Sequence, residues 1–195
     1  AWLSLQRTHP LAAGRPVLIV CPTSLVENWE EETARFTPQL SVLCLYGPNR
    51  KKMHEEIPAH DLVVTSYVIL RRDIDLLLEH EYSSIILDEA QHIKNRSTQN
   101  AVAAKRLRGF NKLVLTGTPI ENSVSDLWSI MDFLMPGYMG NHASFTDHYE
   151  NPIAQGGPDA EFAQNKLRRK LNDGDDQSHD WIGSVYGVGY RLEQP

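Results

Sequence analysis

The sequence predicts an α/β fold in which helices flank a parallel sheet. Short apolar segments of β type alternate with longer segments of helical periodicity along the 195-residue chain, which is typical of βαβ units around a parallel sheet. Several of the apolar segments are unbroken, as expected for strands that are buried on both faces. We expect strands at residues 17–21, 41–46, 62–65, 84–87 and 112–115.

Three connecting segments carry signals for where helices begin and end. Ser24 stands three residues before Glu27, the capping-box spacing that satisfies free backbone amides, so a helix is expected to begin there. Residues 125–134 place their apolar side chains on one helix face and stop before a proline and a glycine. Residues 151–158 are predicted to be a loop, because Gly156-Gly157-Pro158 ends regular structure.

Composition indicates a globular protein with one sizeable core, since 41% of the residues are hydrophobic and 23% are charged. No apolar segment approaches the length of a membrane span, and the N-terminus lacks the order of a signal peptide, so we expect a cytoplasmic protein with no membrane partner. Cys21 and Cys44 lie in predicted strands, which favours buried reduced thiols over a disulfide. The net charge of −6 means that any nucleic-acid contact has to come from local groups.

The most informative chemical feature is the strand predicted at residues 84–87, which ends in two adjacent carboxylates, Asp88 and Glu89. In open α/β sheets, ligands collect where the strands end. One carboxylate can hold Mg²⁺, usually through water, while its neighbour orients or deprotonates a water that attacks a phosphoryl group. The pair therefore predicts a nucleotide hydrolase. The alternative is a strand that ends in two solvated acids at the beginning of a helix.

Four segments in a fixed order give the acid pair its context: residues 17–26, 61–67, 87–95 and 112–122. They resemble motifs Ia, Ib, II (the Walker B box) and III of the Swi/Snf-type DNA-translocating ATPases of helicase superfamily two. The resemblance covers residues 1 to about 165. It implies an incomplete RecA-like sheet flanked by helices, ATP and Mg²⁺ as cofactors, and double-stranded DNA as a partner.

The resemblance also implies roles for residues of motifs II and III. Asp88 would hold Mg²⁺ and Glu89 would activate water, while His92 would bridge to the nucleotide or to motif III. Motif III would couple the nucleotide site to the DNA-bound surface through Thr116, Gly117 and Thr118. A zinc site built from Asp88, Glu89 and His92 is disfavoured, because no second histidine or cysteine stands at ligand spacing.

Hydroxyl groups of motifs Ia and Ib are implied to face DNA phosphates: Thr23, Ser24, Thr65 and Ser66. The physical basis is sound for motif Ia, because a helix N-terminus offers unpaired amide donors and a partial positive charge to an anion. Plain helix capping explains Ser24 equally well.

The sequence contains no glycine-rich loop ending in Gly-Lys-Ser/Thr, which such an ATPase uses to cradle the phosphates. In the family this loop precedes a helix that residues 1–6 resemble, and the second RecA-like lobe with its arginine finger is also missing. Because phosphoryl transfer depends on positioning and charge neutralisation, we expect this polypeptide alone to hydrolyse little or no ATP. A missing first strand should also leave an unpaired sheet edge or an exposed apolar face.

The last thirty residues carry a different signal. Residues 166–171 are basic, and residues 181–192 form a β-rich segment punctuated by glycines, which predicts a hairpin. They resemble the C-terminal end of OmpR-type winged-helix response regulators, in which basic side chains contact DNA, here Arg168, Arg169 and Lys170. We therefore expect a boundary between residues 1–165 and 166–195 and interpret the chain as a chimera. The alternatives are a lineage-specific end of an intact protein and, for function, a DNA-binding transcriptional regulator.

Overall fold

The computed structural model describes residues 14–117, 124–172, 182–185 and 189–192. The chain divides into two compact units, residues 1–116 and 117–195. None of the helices in the described part of the chain combines the length and the apolar character needed to cross a membrane.

A five-stranded parallel sheet with the order β2-β3-β1-β4-β5 forms the first unit. Its strands are β1 (Val17–Cys21), β2 (Val42–Leu45), β3 (Leu62–Ser66), β4 (Tyr82–Leu87) and β5 (Gly109–Val114). All five predicted strands are confirmed, although β4 and β5 begin earlier than expected. Val20 of β1 is level with Thr65 of β3 and Leu87 of β4, so the carboxyl ends of these strands lie at one edge of the sheet.

Helices connect successive strands. They are α1 (Val26–Phe36), α2 (Arg50–Met53), α3 (Tyr67–Arg72), α4 (Ile74–Leu77) and α5 (Gln99–Arg106), with 3₁₀ turns at Thr23–Leu25, His54–Ala59 and Ala90–Ile93. The connection from β1 to β2 runs toward one edge of the sheet, whereas those from β3 to β4 and from β4 to β5 run toward the other edge. Because such crossovers are right-handed, α1 lies on one face of the sheet and α3 to α5 lie on the other. A three-layer arrangement follows.

The core lies on both faces of the central strands, as the unbroken apolar segments predicted. Val17, Ile19 and Cys21 of β1 pack in one cluster with Val26 of α1, while the alternate side chains of β1 are buried on the opposite face. β5 pairs only with β4 among the described strands, and its side chains are half-buried or exposed.

The two cysteines are buried and free, as predicted. Burial is the main cause that raises the pKa of Cys21 to about 12, with further contributions from the charge of Asp88 and from Cys44. Burial likewise raises the pKa of Cys44 to about 12, and Glu30 adds to the shift. Both thiols therefore stay protonated and unreactive at neutral pH.

The capping box predicted from Ser24 and Glu27 is wrong. Thr23–Leu25 forms a 3₁₀ turn, and the N-cap position of α1 falls on Leu25, where no side chain caps the helix. Pro22, with a φ of −55°, begins the turn and shifts the start of the α-helix beyond Ser24.

In the second unit, residues 124–172 are mainly helical. The elements are α6 (Val124–Leu134), α7 (His142–Phe145), a π-helical turn (Thr146–Glu150), α8 (Asn151–Gln155) and α9 (Pro158–Asn172). Their apolar side chains form one cluster of Trp128, Met131, Met139, Phe145, Tyr149 and Leu167. The amphipathic helix predicted at residues 125–134 is confirmed by α6.

The predicted loop at residues 151–158 is wrong, because the chain is helical through Gln155. Gly156 and Gly157 have φ values of +74° and +80° and break the helix within two residues. Pro158 then opens α9, in keeping with the preference of proline for the first turn of a helix. The predicted hairpin is confirmed as two antiparallel strands, β6 (Ile182–Val185) and β7 (Gly189–Leu192).

Candidate active site

Asp88 and Glu89 lie at the carboxyl edge of the sheet, directly after β4. The backbone amide of Asp88 donates to the carbonyl of Val20 at 2.8 Å, so the pairing of β4 with β1 extends one residue beyond the strand. On the other side, the amide of Leu115 donates to the carbonyl of Leu87 at 2.8 Å. The acid pair is therefore fixed between the ends of β1 and β5, where an open α/β sheet binds its ligands.

Three further hydrogen bonds hold Asp88. The indole Nε1 of Trp29 donates to Oδ2 at 2.9 Å, and the amide of Glu89 donates to Oδ1 at 2.9 Å. The hydroxyl of Tyr67 donates to the backbone carbonyl of Asp88 at 2.9 Å. All three donors are neutral, so Trp29 and the amide of Glu89 orient the carboxylate without cancelling its charge, while Tyr67 holds the backbone.

Glu89 has an unusual backbone conformation. Its φ of 52° and ψ of 57° place it in the left-handed region, where no other non-glycine residue of the described chain is found. This conformation costs roughly 1–2 kcal/mol for a residue with a side chain. It turns the chain so that the amide of Ala90 donates to the carbonyl of Leu115 at 2.9 Å. Such strain is typical of functional corners, where the surrounding structure holds it in place.

The side chain of Gln91 joins the acid pair to the segment after β5. Its Nε2 donates to Oε2 of Glu89 at 2.8 Å, and its Oε1 accepts from the hydroxyl of Thr116 at 3.1 Å. One amide thus contacts both the predicted base and the first residue of the predicted coupling set. Gly117 is described and has open space around it, while Thr118 lies outside the described residues.

An aromatic pair stands beside Asp88. The ring of His92 stacks on that of Tyr67, with centroids 4.8 Å apart and planes inclined by 29°. Burial raises the pKa of Tyr67, and the charges of Asp88 and Glu89 act in the same direction. Its hydroxyl therefore stays protonated as a donor. His92 itself is exposed, at the same edge as the acid pair.

Thr23 and Ser24 are exposed in the 3₁₀ turn that precedes α1, at the carboxyl edge of the sheet. Thr65 and Ser66, in contrast, are only 0% and 3% exposed. The expectation that these two hydroxyls face DNA phosphates does not agree with their placement. The hydroxyl of Thr65 donates to the carbonyl of Leu45 at 3.1 Å, and that of Ser66 accepts from the amide of Ile69 at 3.3 Å to cap α3.

The basic residues of α9 lie in the other unit. Arg168 and Arg169 are exposed, while Lys170 is half-buried with its Nζ 5.6 Å from the ring centre of Tyr138. Leu167, beside them, packs in the helical core. The helix runs across residues 165 and 166, where the sequence predicted a domain boundary. The interpretation of residues 166–195 as a winged-helix remnant stays a prediction.

The donor set at the corner fits Mg²⁺ better than zinc. Mg²⁺ takes oxygen ligands and is usually held by one or two carboxylates together with phosphates and water. Each carboxylate oxygen of Asp88 accepts one hydrogen bond from the described residues, which leaves a lone pair for a cation or its water. No group of three histidine, cysteine or acidic side chains able to bind a metal occurs in the described ranges, as zinc would require.

Three residues of this corner were not predicted as site residues: Trp29, Tyr67 and Gln91. Tyr67 and Trp29 follow strands that end at the same sheet edge as β4, and each carries a polar donor on a large apolar side chain. That combination is a usable signal, because buried tyrosine and tryptophan normally find a hydrogen-bond partner.

Comparisons with known proteins agree with this geometry. The family model described as the SNF2-related domain matches residues 4–174. The TATA-binding protein-associated factor mot1 of Schizosaccharomyces pombe is 42% identical over 147 residues, which are 74% of this chain and 8% of that protein. An uncharacterized ATP-dependent helicase of Mycoplasma pneumoniae is 39% identical over 137 residues, 69% of this chain and 13% of that protein.

Solved structures give the same result. The SWI2/SNF2 ATPase core of Sulfolobus solfataricus in complex with double-stranded DNA superposes with a TM-score of 0.78 and 37% identity, over 88% of this chain and 35% of that chain. The ATPase core domain from the same organism gives a TM-score of 0.74 at 37% identity, over 87% of this chain and 34% of that one. The chain thus spans only a small part of the relatives that it matches.

Proposed function

Because the chain belongs to the SNF2-related domain family, we propose that it forms part of an ATP-dependent DNA translocase in which Asp88 and Glu89 serve ATP hydrolysis. The observation that carries this proposal is the acid pair at the carboxyl edge of β4, with Asp88 oriented by neutral donors and Glu89 held in a left-handed turn. The RecA-like sheet around it is of the kind on which such sites are built.

The two acids divide the chemistry. When bound with ATP, Mg²⁺ would supply charge neutralisation on the phosphates and polarise the γ-phosphoryl group. Asp88 would hold the ion, directly or through water, with a carboxylate whose direction is fixed by Trp29 and by the amide of Glu89. Glu89 would accept a hydrogen bond from the attacking water and take its proton as the water oxygen bonds to the γ-phosphorus, while the bond between that phosphorus and the β,γ-bridging oxygen breaks and ADP leaves. Gln91 holds Glu89 in place for this step.

Double-stranded DNA is the proposed polymer partner. One of the solved relatives is an ATPase core in complex with double-stranded DNA. Thr23 and Ser24 are exposed in the 3₁₀ turn that precedes α1, and their hydroxyl groups are suited to contact a phosphate. The bond between Thr116 and Gln91 would then link motif III to the catalytic base. Arg168, Arg169 and Lys170 offer positive charge for a second contact.

Hydrolysis needs groups that these 195 residues do not contain. There is no Gly-Lys-Ser/Thr loop in the sequence, so we propose that a phosphate loop and a second RecA-like lobe are supplied by other residues. We place the complete enzyme in the cytoplasm and assign it ATP and Mg²⁺ as cofactors.

A graft into a complete relative tests the proposal. Residues 14–172 would replace the matching segment of the Sulfolobus solfataricus SWI2/SNF2 ATPase core, and ATP hydrolysis would be measured with and without duplex DNA. We expect DNA-stimulated turnover that Glu89→Gln lowers about 100-fold or more, because a general base contributes at least this factor. The control is Glu31→Gln, the same change at an exposed position of α1. Equal turnover of the Glu89→Gln graft and the unsubstituted graft would refute the assignment.

A further inference from the structure

We propose that Trp29 is a positioning residue for the metal-binding carboxylate of Asp88. This inference rests on the proposed function, since it assigns to the indole N–H a role in the affinity of Asp88 for a divalent cation. It adds a residue from α1, 59 positions away in the sequence, to the acid corner.

The fold explains why Trp29 reaches Asp88. Along α1, residues 26, 29 and 33 lie on one helix face, and Val26 and Thr33 are buried there. Trp29 packs against the core cluster that contains Ile86 of β4. Side chains alternate along a strand, so the side of the sheet that Ile86 faces is also the side that Asp88 faces, two residues later. The indole therefore lies over the sheet with its N–H directed at the end of β4.

Packing alone would not require this geometry. A partly buried tryptophan in α1 could direct its N–H to solvent, yet Nε1 lies 2.9 Å from Oδ2 of Asp88. With this bond, the amide, the carbonyl and both carboxylate oxygens of Asp88 are all hydrogen-bonded. Of the bonds that described residues make to the two carboxylate oxygens, the one from Trp29 is the only one that comes from another element of the fold.

The chemistry of the donor matters as much as its position. An indole N–H has no acceptor and carries no charge, so it fixes the carboxylate plane and leaves the negative charge for a cation. A lysine or arginine at this position would compete with Mg²⁺. Groups that orient a metal ligand from behind typically change metal affinity 10–100-fold when they are removed.

The hydrogen bond can be tested without any nucleotide. In the full chain labelled with ¹⁵N, Trp29→Phe would identify the indole N–H signal of Trp29, and Asp88→Asn would replace its charged acceptor with a neutral one. We expect the Asp88→Asn change to move that indole proton upfield and to speed its exchange with solvent about tenfold, because charged acceptors form stronger hydrogen bonds. An indole signal that does not respond to Asp88→Asn overturns the proposal.

The positioning role is tested with Mn²⁺ alone as a probe for Mg²⁺. Bound Mn²⁺ broadens the amide signal of Ala90, and the concentration for half broadening reports affinity. We expect Trp29→Phe, which keeps an aromatic ring in the cluster, to raise this concentration about tenfold. The matched control is Trp128→Phe, because its indole donates to the carbonyl of Gly140 at 3.1 Å in the other unit. The control is expected to leave Mn²⁺ affinity unchanged.

The outcomes separate this inference from the proposed function. If Trp29→Phe binds Mn²⁺ as tightly as the unsubstituted chain does, the positioning role is wrong while metal binding at Asp88 stands. If Mn²⁺ broadening near Ala90 is insensitive to Asp88→Asn, the metal role of Asp88 fails, and the positioning role fails with it. A tenfold loss for Trp29→Phe with a responsive indole signal supports both.

Discussion

Two aspartates of the first unit show opposite ways of holding a carboxylate. Asp73, between α3 and α4, has a side chain that is only 1% exposed and accepts two bonds from Arg50, Nε to Oδ2 at 2.6 Å and Nη2 to Oδ1 at 3.1 Å. Asp88 is half-buried at the sheet edge, and its carboxylate accepts hydrogen bonds from an indole N–H and a backbone amide. One carboxylate is neutralised by a cation, and the other is oriented by neutral groups.

The difference separates a structural acid from a functional one. A buried carboxylate without a counter-charge is costly, and the guanidinium of Arg50 supplies that counter-charge to Asp73. Asp88, in contrast, is partly open to solvent and is oriented by neutral donors. A carboxylate without a paired cation can serve a divalent metal ion, whereas a carboxylate paired with arginine has little to offer a metal.

Replacing each aspartate by asparagine tests whether Asp73 is the structural acid and Asp88 is not. We expect Asp73→Asn to lower the free energy of unfolding by about 3 kcal/mol, because it leaves the largely buried guanidinium of Arg50 without its counter-charge. Asp88→Asn should lower it by about 1 kcal/mol, since the one amide oxygen still accepts from one neutral donor while the NH₂ group displaces the other. Urea unfolding of both variants measures the difference, and equal losses would contradict the distinction.

A smaller effect is expected from the histidine beside Asp73. His54 is 4% exposed, and neither ring nitrogen has a hydrogen-bond partner among the described residues. Its Nε2 lies 3.8 Å from Oδ2 of Asp73. Burial lowers the pKa of His54 below its ordinary value of 6.5, with His80 and Arg50 acting in the same direction and Asp73 opposing them. The neutral ring is therefore the form that the fold favours.

The sign of the pH dependence follows. Below pH 6.5 the unfolded chain takes up a proton at His54 that the folded chain does not, so stability falls as the pH decreases toward the lowered folded pKa. We expect His54→Phe to flatten part of this fall in unfolding curves between about pH 7 and pH 5. Burial also lowers the pKa of His80, which accounts for a remaining slope.

The control for this pH dependence is His148→Gln, because His148 is exposed in the second unit. It should leave the slope as it is. Identical slopes for His54→Phe and the unsubstituted chain would show that burial of His54 does not set the pH dependence.

Much of the sheet could be predicted because parallel strands buried on both faces are unbroken apolar segments. β1 was predicted residue for residue, and the acid pair at the end of β4 was found from the abrupt change of chemistry. Local signals failed where neighbouring residues compete. Ser24 has the spacing of a capping box, but Pro22 begins a 3₁₀ turn first, and Pro158 opens a helix where it was expected to mark a loop.

The contacts of the site could not be predicted, because they depend on strand order. Trp29, in the helix after β1, reaches Asp88 because β1 and β4 are neighbours in the sheet. Tyr67, directly after β3, reaches Asp88 because β3 lies on the other side of β1. Strand order also explains why the prediction for Thr65 failed. Its hydroxyl was expected to face DNA, yet Thr65 is buried in β3 and donates to the carbonyl of Leu45 in the neighbouring strand β2.

The most direct test of the account is to ask which aspartate takes a divalent cation. Trace Mn²⁺ would be added to the ¹⁵N-labelled chain, and the broadening of backbone amide signals would be mapped along the sequence. We predict strong broadening at residues 88–91 that disappears in Asp88→Asn, and none above background at residues 72–74. Broadening at Asp73, or its absence around Asp88, would contradict the claim that the acid at the end of β4 is the one held ready for a metal.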